Sequence, residues 1–217
     1  MENNMEKIID LTHSISEGMP VYPGTESPVL KKECTIEDIG FLEKKITMVS
    51  HTGTHMDAPA HLIKDAKTLD KFPVNHFYGK AVLLDFTGIT GSHIKLNDLE
   101  PYEAAIRNVD FVLIYTGWSE YWGRDKYYVD YPVLTYDAAD WLSKFSLKGI
   151  GLDTISADKI NTVNYEVHKS FLGNNTVIIE NLTNFDLLPM KQFTFSCFPM
   201  SFEDADGSPV RAVGIVN

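Results

Sequence analysis

His51-Thr52-Gly53-Thr54-His55-Met56-Asp57-Ala58-Pro59-Ala60-His61 gathers three of the chain's seven histidines and a carboxylate into eleven residues. Imidazole and carboxylate are the ligands that suit divalent zinc or manganese. Two neutral histidines plus an aspartate leave coordination positions open for water, the mark of a catalytic ion and not of a closed structural one. The competing reading is a polar turn whose histidines hydrogen-bond nearby backbone, and four ligand-type groups at this density favour the metal. The same residues decide the local backbone. Gly53 weakens a helix, Thr52 and Thr54 are poor helix formers, and Pro59 pushes Ala58 out of the α region. An extended or looped segment is therefore expected, not a helix with His51 and His55 at i, i+4. In an extended segment His55 and Asp57 share a face, while Gly53 lets the chain bend until His51 also reaches the ion.

Outward from this motif the chain is rich in short β-type runs. They lie at Ile8–Leu11, Lys45–Val49, Ala81–Phe86, Phe111–Tyr115, Gly149–Leu152, Val177–Ile179, Phe193–Phe198 and Val210–Val216, mostly bounded by Gly, Asn, Asp or Pro. Helical periodicity places Ala138, Trp141, Leu142 and Phe145 on one face of a helix over Thr135–Phe145. A second helix is predicted over Asn97–Asn108. A third, over Asn164–Leu172, would set Tyr165, His168 and Leu172 on one side. No repeat and no linker divides the chain, so one mixed α/β domain over residues 1–217 is expected. Trp118 to Tyr131 crowds two tryptophans and four tyrosines among charged residues. It reads either as a loop packed on the body or a partner subunit, or as a lid over substrate.

Of 217 residues, 44% are hydrophobic and 23% charged, the balance of a folded globular chain. Nineteen Lys and Arg stand against 30 Asp and Glu, a net charge of −11. That sign repels phosphate backbones and anionic membranes, so neither nucleic acid nor membrane is an expected partner. No run approaches the ~20 apolar residues of a membrane span. Met1 to Asp10 carries Glu2, Asn3, Asn4, Glu6 and Lys7 where a secretion signal needs an apolar stretch. Cys34 and Cys197 form no CxxC pair. A cytoplasmic location with free thiols is the expectation.

The motif resembles that of the bacterial kynurenine formamidase-like, or cyclase, family of metal-dependent hydrolases, HxGTHxDxPxH, and matches each of its fixed letters. The likeness extends to Tyr22-Pro23-Gly24, Thr116-Gly117-Trp118, Gly151-Leu152-Asp153-Thr154, His168 with Glu180 twelve residues on, and Ser208-Pro209-Val210-Arg211-Ala212, essentially the whole chain. The resemblance implies that His51, His55 and Asp57 hold a first metal, Zn or Mn, and that Asp57 bridges to a second held by His168 and Glu180. It leaves His61 as acid/base. Read without the family, His168 on a short helix and Glu180 are each ambiguous. The implied fold is a swivelling β/β/α domain, a mixed or barrel-like sheet with a few helices, and the implied assembly is a homodimer or homotetramer. The aromatic loop after Gly117 would then suit an arm reaching a neighbouring site. Two departures fall where the family motif faces substrate: Tyr22 stands where family formamidases usually carry Trp, and Thr25 where they usually carry Asp. Both bear on substrate identity, with Tyr22 as a substrate-binding candidate.

A divalent ion lowers the pKa of bound water from 15.7 to about 7 and polarises the carbonyl under attack. No GxSxG elbow is present and neither cysteine has a recognisable histidine partner, so covalent acyl transfer is disfavoured. His61, with an ordinary pKa near 6.5, can take the proton of water and return it to a leaving nitrogen. The activity expected is metal-dependent hydrolysis of a small amide, an aryl formamide such as N-formylkynurenine first, in a pocket to which Tyr22 and Trp118 add aromatic walls. Opening of a cyclic amide like isatin or of a lactone uses the same ion. An idle metal-binding protein is the third reading.

Overall fold

The structure, a computed structural model, describes residues 6–216. Its strands are β1 (Lys7–Asp10), β2 (Val29–Cys34), β3 (Glu43–Thr47), β4 (His55–Asp57), β5 (Tyr78–Asp85), β6 (His93–Ile94), β7 (Phe111–Tyr115), β8 (Val133–Leu134), β9 (Gly149–Leu152), β10 (Val177–Glu180), β11 (Phe193–Pro199) and β12 (Gly207–Val216). Five short helices accompany them: α1 (Ile36–Ile39), α2 (Leu96–Leu99), α3 (Glu103–Ile106), α4 (Tyr136–Leu142) and α5 (Glu166–Leu172). The main sheet runs β1-β12-β11-β5-β7-β9-β10-β4, and β4 pairs again with β12, which closes the sheet on itself like a barrel. One edge of β12 serves two strands: Gly207 to Pro209 pair with β4, and Val213 to Val216 with β1. The pairs β5–β7, β7–β9 and β9–β10 are parallel, and those of β11, β12, β1 and β4 are antiparallel.

The parallel strands read as unbroken apolar runs because both of their faces are covered. Ala81, Leu83, Phe111, Leu113, Val177 and Ile179 turn into the core enclosed by the ring, with Met56, Phe195 and Ala212 from the antiparallel side. Their alternates Val82, Leu84, Val112, Ile114, Ile150 and Ile178 meet Leu99, Ile106, Ala138, Leu142, Val167 and Phe171 from the helices. Each fully buried Leu, Ile or Phe contributes about 1.5–3 kcal/mol by leaving water. Gly151 is the exception that the ring requires, since a Cβ there would stand 2.6 Å from Cδ1 of Leu182.

The mixed α/β sheet with few helices agrees with the expectation, but three elements differ. The helix predicted over Asn97–Asn108 is broken into α2, a 3₁₀ turn over Glu100–Tyr102 and α3. Pro101 lacks the N–H a continuous helix would need there. The helix predicted over Asn164–Leu172 begins only at Glu166, since Tyr165 sits at a left-handed φ of 51° and ends up at the N-cap. The strand predicted over Lys45–Val49 is β3, two residues earlier, and it forms a hairpin with β2 whose tip is α1. That hairpin leaves Ile36, Ile39, Phe41, Leu42 and Ile46 exposed.

The segment from Trp118 to Tyr131 folds onto its own chain. Tyr127 and Tyr131 are fully buried, in a cluster with Val133, Ile155 and the partly covered Tyr22, Trp118 and Trp122. Its entry is pinned by Asp153, a buried carboxylate that accepts the Thr116 hydroxyl at 2.6 Å and the Trp118 N–H at 3.0 Å. Among the described residues no helix is long and apolar enough to cross a membrane.

Candidate metal centre and active site

Three elements bring the site together. β4 is only three residues long, yet β10 clamps it on one side and β12 on the other. Its extended backbone puts His55 and Asp57 on one face, as the alternation of a strand demands. The register with β10 sets Glu180 directly opposite His55, and the register with β12 sets Gly207 opposite Asp57. α5 supplies His168, buried beneath Tyr165. After β4, Pro59 opens a 3₁₀ turn that ends at His61. Gly53, at φ 67°, makes the bend that returns His51 to the cluster.

Within the cluster two carboxylates face the histidines oxygen by oxygen. Asp57 Oδ1 lies 3.3 Å and Glu180 Oε2 3.6 Å from Nε2 of His55. Glu180 Oε1 lies 3.3 Å and Asp57 Oδ2 3.7 Å from Nε2 of His168. Ligand atoms about 2.0–2.2 Å from one ion at tetrahedral angles are themselves about 3.3–3.6 Å apart, so the donor set fits a divalent ion on each side of the two carboxylates. His51, Asp57 and His61 form a second constellation of ligand-type atoms within 4.8 Å of one another, sharing Asp57 with the first. There His51 Nδ1 stands 2.7 Å from Asp57 Oδ1, a direct hydrogen bond. All six residues singled out in the sequence, His51, His55, Asp57, His61, His168 and Glu180, thus line one site, and Glu180 reaches toward both His55 and His168.

Their remaining polar atoms are satisfied from behind. His55 Nδ1 donates to the carbonyl of Gly53 at 2.8 Å. His168 Nδ1 donates to Asp158 at 2.6 Å, and Glu180 Oε1 accepts the N–H of Ala157 at 2.7 Å. His51 Nε2 is 3.1 Å from Asp206. Asn181 donates to the carbonyl of Gly53 and accepts the Tyr127 hydroxyl, which ties the aromatic segment to the His55 turn. Asp158, Asp206 and Asn181 escape the sequence reading because each acts through a contact more than nine residues away in the chain. The His61 imidazole makes no hydrogen bond among the described residues; its ring lies 3.9 Å from that of His51.

Charge follows from this packing. Burial opposes a proton on His51, but Asp57 and Asp206 outweigh it and hold its pKa up at about 9. Burial likewise opposes one on His168, where Asp158, Glu180 and Asp57 raise the pKa to about 10. Asp57 is held well below the usual carboxylate range, the His51 and His55 rings overcoming its burial. His61 moves the other way: burial lowers its pKa, helped by the charges of His51 and His168. Near neutrality that leaves the His61 imidazole uncharged.

The cluster forms the floor of a cavity of about 530 Å³, a size suited to a small organic molecule. Tyr22 and Tyr165 stand in its wall with Val21, Val49, Leu62 and Ile155. Tyr22 takes the place expected of it, with its hydroxyl donated to the carbonyl of Ile160 at 2.9 Å. Trp118 does not line the cavity. Its indole N–H is committed to the carbonyl of Tyr127, and the second aromatic wall is Tyr165 instead.

A closed mixed sheet that buries a His and carboxylate cluster at the floor of such a cavity defines a hydrolase of the metal-dependent kind. Residues 9–159 match the family model described as Putative cyclase, and the chain belongs to that family. His168 and Glu180 lie beyond the matched stretch. The chain is 34% identical over 212 residues to an uncharacterised protein of Methanocaldococcus jannaschii, covering 97% of this chain and 100% of that one. It is 28% identical over 206 residues to the kynurenine formamidase of Bacillus cytotoxicus, covering 94% and 95%. A solved potential metal-dependent hydrolase with cyclase activity superposes at a TM-score of 0.82 with 28% identity, covering 98% of each chain. An isatin hydrolase bound to the product analogue thioisatinate shares the fold at a TM-score of 0.88 with 21% identity, covering 97% of this chain and 92% of that one.

Proposed function

We propose that the chain hydrolyses a small amide at this centre, an aryl formamide of the N-formylkynurenine type being the first candidate. The observation that carries the reading is the pair of buried carboxylates, Asp57 and Glu180, each turned toward His55 and His168 at 3.3–3.7 Å inside a substrate-sized cavity. His51, His55, Asp57, His168 and Glu180 would hold zinc or manganese, one or two ions per chain. When bound, such an ion supplies water of lowered pKa and polarises the carbonyl. His61, its ring neutral and free of hydrogen-bond partners among the described residues, accepts a proton at its ring nitrogen and delivers it to the leaving amine. Tyr22 and Tyr165 flank an aryl group, and the apolar wall keeps bulk water from the carbonyl. The kynurenine formamidases among the relatives support this choice.

A second reading is favoured by one feature of the wall: among its residues there is no Lys or Arg. The carboxylate of an amino-acid substrate would meet no Lys or Arg there, leaving only the site's own histidines and ions to pair with it, whereas a neutral cyclic amide such as isatin, or a lactone, requires no such partner. Comparing kcat/KM for N-formylkynurenine, isatin and simple lactones with ion-loaded enzyme tests both. Turnover confined to isatin or lactones would overturn the formamidase reading. Self-assembly into a homodimer or homotetramer and a cytoplasmic location belong to the same proposal. The exposed Ile36, Ile39, Phe41 and Leu42 of the β2–β3 hairpin support the assembly, and sedimentation of the wild type beside a variant with serine at these four positions tests it.

A further inference from the structure

We propose that Asp158 is a positioning residue that dedicates Nε2 of His168 to the ion-binding face of the cavity; this rests on the reading above, in which His168 is an ion ligand. Asp158 is buried, and three donors converge on its carboxylate. Oδ2 accepts Nδ1–H of His168 at 2.6 Å and the backbone N–H of the same residue at 3.0 Å, while Oδ1 accepts the N–H of Val167 at 3.1 Å. An imidazole that donates from Nδ1 to a carboxylate carries its free lone pair on Nε2, and the negative charge behind it makes that lone pair more basic. Nε2 is the atom that faces Glu180 at 3.3 Å and Asp57 at 3.7 Å. His55 lacks this arrangement, since its Nδ1 leans on the neutral carbonyl of Gly53.

The placement is firm because the neighbours of Asp158 are held in turn. Ala157 gives its N–H to Glu180 at 2.7 Å, so adjacent residues of one loop fix both the ligand carboxylate and the ligand imidazole. Tyr131 donates its hydroxyl to the carbonyl of Asp158 at 2.6 Å from a fully buried ring. A carboxylate that merely capped α5 would need only the two backbone N–H contacts; the third contact, to the imidazole, is what the proposal turns on.

Asp158→Asn separates the two roles. It keeps an acceptor oxygen for the Val167 N–H at the Oδ1 position and sets an amide N–H at the Oδ2 position against Nδ1, which moves the ring proton to Nε2 and gives up only the His168 N–H contact. Metal-free protein would be titrated with Zn²⁺ against a chromophoric chelator, with His168→Gln identifying the ion that His168 holds. For that ion Asp158→Asn should lose about 10–100-fold in affinity, the range for a lost carboxylate partner behind a ligand histidine. In the double variant with His168→Gln it should cost nothing further. The thermal midpoint of the metal-free protein should fall by only about 2–4 °C, the effect of the one lost His168 N–H contact. Unchanged Zn²⁺ affinity in Asp158→Asn, or losses that add in the double variant, would overturn the proposal. If Asp158→Asn does not fold, Tyr131→Phe takes its place, with a several-fold loss for the same ion expected and an unchanged affinity overturning it. A wild-type chain that takes up no Zn²⁺ would overturn the hydrolase reading first and this inference with it.

Discussion

A methyl group at position 207 would stand 2.6 Å from Nε2 of His51, well inside contact distance, so the imidazole occupies space that only glycine leaves open. Gly207→Ala is expected to push that ring off Asp57 at a cost of about 1–3 kcal/mol, as other overpacked sites do. Ion affinity should fall by about 10–100-fold in a Zn²⁺ competition titration, while the circular dichroism of the fold is kept. His61 predicts a different pattern. Its ring has no hydrogen bond among the described residues and a lowered pKa, so His61→Ala should keep the ion and lose about 10²–10⁴ in kcat, whereas Asp57→Ala should lose the ion as well. If His61→Ala also strips the ion, then His61 ligates it, as its nearness to His51 and Asp57 would allow. His51, His55, His61 and Asp57 are legible in the sequence because they stand within eleven residues, whereas His168 and Glu180 become legible only through the family resemblance. Asp158, Asp206 and Asn181 are not, since an isolated Asp or Asn carries no signal until folding brings it to a ring nitrogen or a carbonyl.

At the scale of elements, local chemistry decides more than periodicity does. The apolar spacing from Leu96 to Ile106 survives in α2 and α3, whose Leu99 and Ile106 both reach the core, but Pro101 breaks the backbone between them. β4 reads in the sequence only as an extended or looped stretch, and it is a strand because β10 and β12 both have an edge to offer. The 3₁₀ turn Val74–Phe77 holds a pH effect. Its His76 lies against Phe72, with Nε2 buried and unpartnered, and burial lowers its pKa from 6.5 to about 4. The folded chain therefore takes up this proton less readily than the unfolded chain. The corresponding stability is full above pH 6.5 and is lost as pH falls toward 4. With the residue only partly covered, the loss is on the order of 1 kcal/mol. Urea midpoints of ion-free protein at pH 7.5 and 5 should diverge less in His76→Gln than in the wild type; an equal fall in both would show that His76 does not carry the effect.

For the molecule as a whole, the ring of strands and the site are one construction. β4 and β12 close the sheet, and β4 bears His55 and Asp57, so an ion held by these residues with Glu180 and His168 would join the closing strand to β10 and α5. An ion that binds only the folded chain should stabilise it by about 4 kcal/mol at a thousandfold excess over its dissociation constant, raising the thermal midpoint by on the order of 10 °C. Calorimetry with and without a chelator checks this. Identical midpoints would show that the ion contributes nothing to the fold.

By itself the sequence determined the character of the parts. Unbroken apolar runs such as Phe111–Tyr115 require strands covered on both faces, and the density of histidine around Asp57 marks a candidate ligand cluster. These are local properties, set by residues close in the chain and by which of them water rejects. Tertiary structure alone decided that Glu180 lies opposite His55, that Asp158 stands behind His168, that Gly207 makes room for His51 and that Tyr165, not Trp118, walls the cavity. Each of these depends on strand register or on a contact between segments distant in the chain. Register is chosen by the packing of the whole closed sheet, where a slip of one residue would turn every side chain to the opposite face.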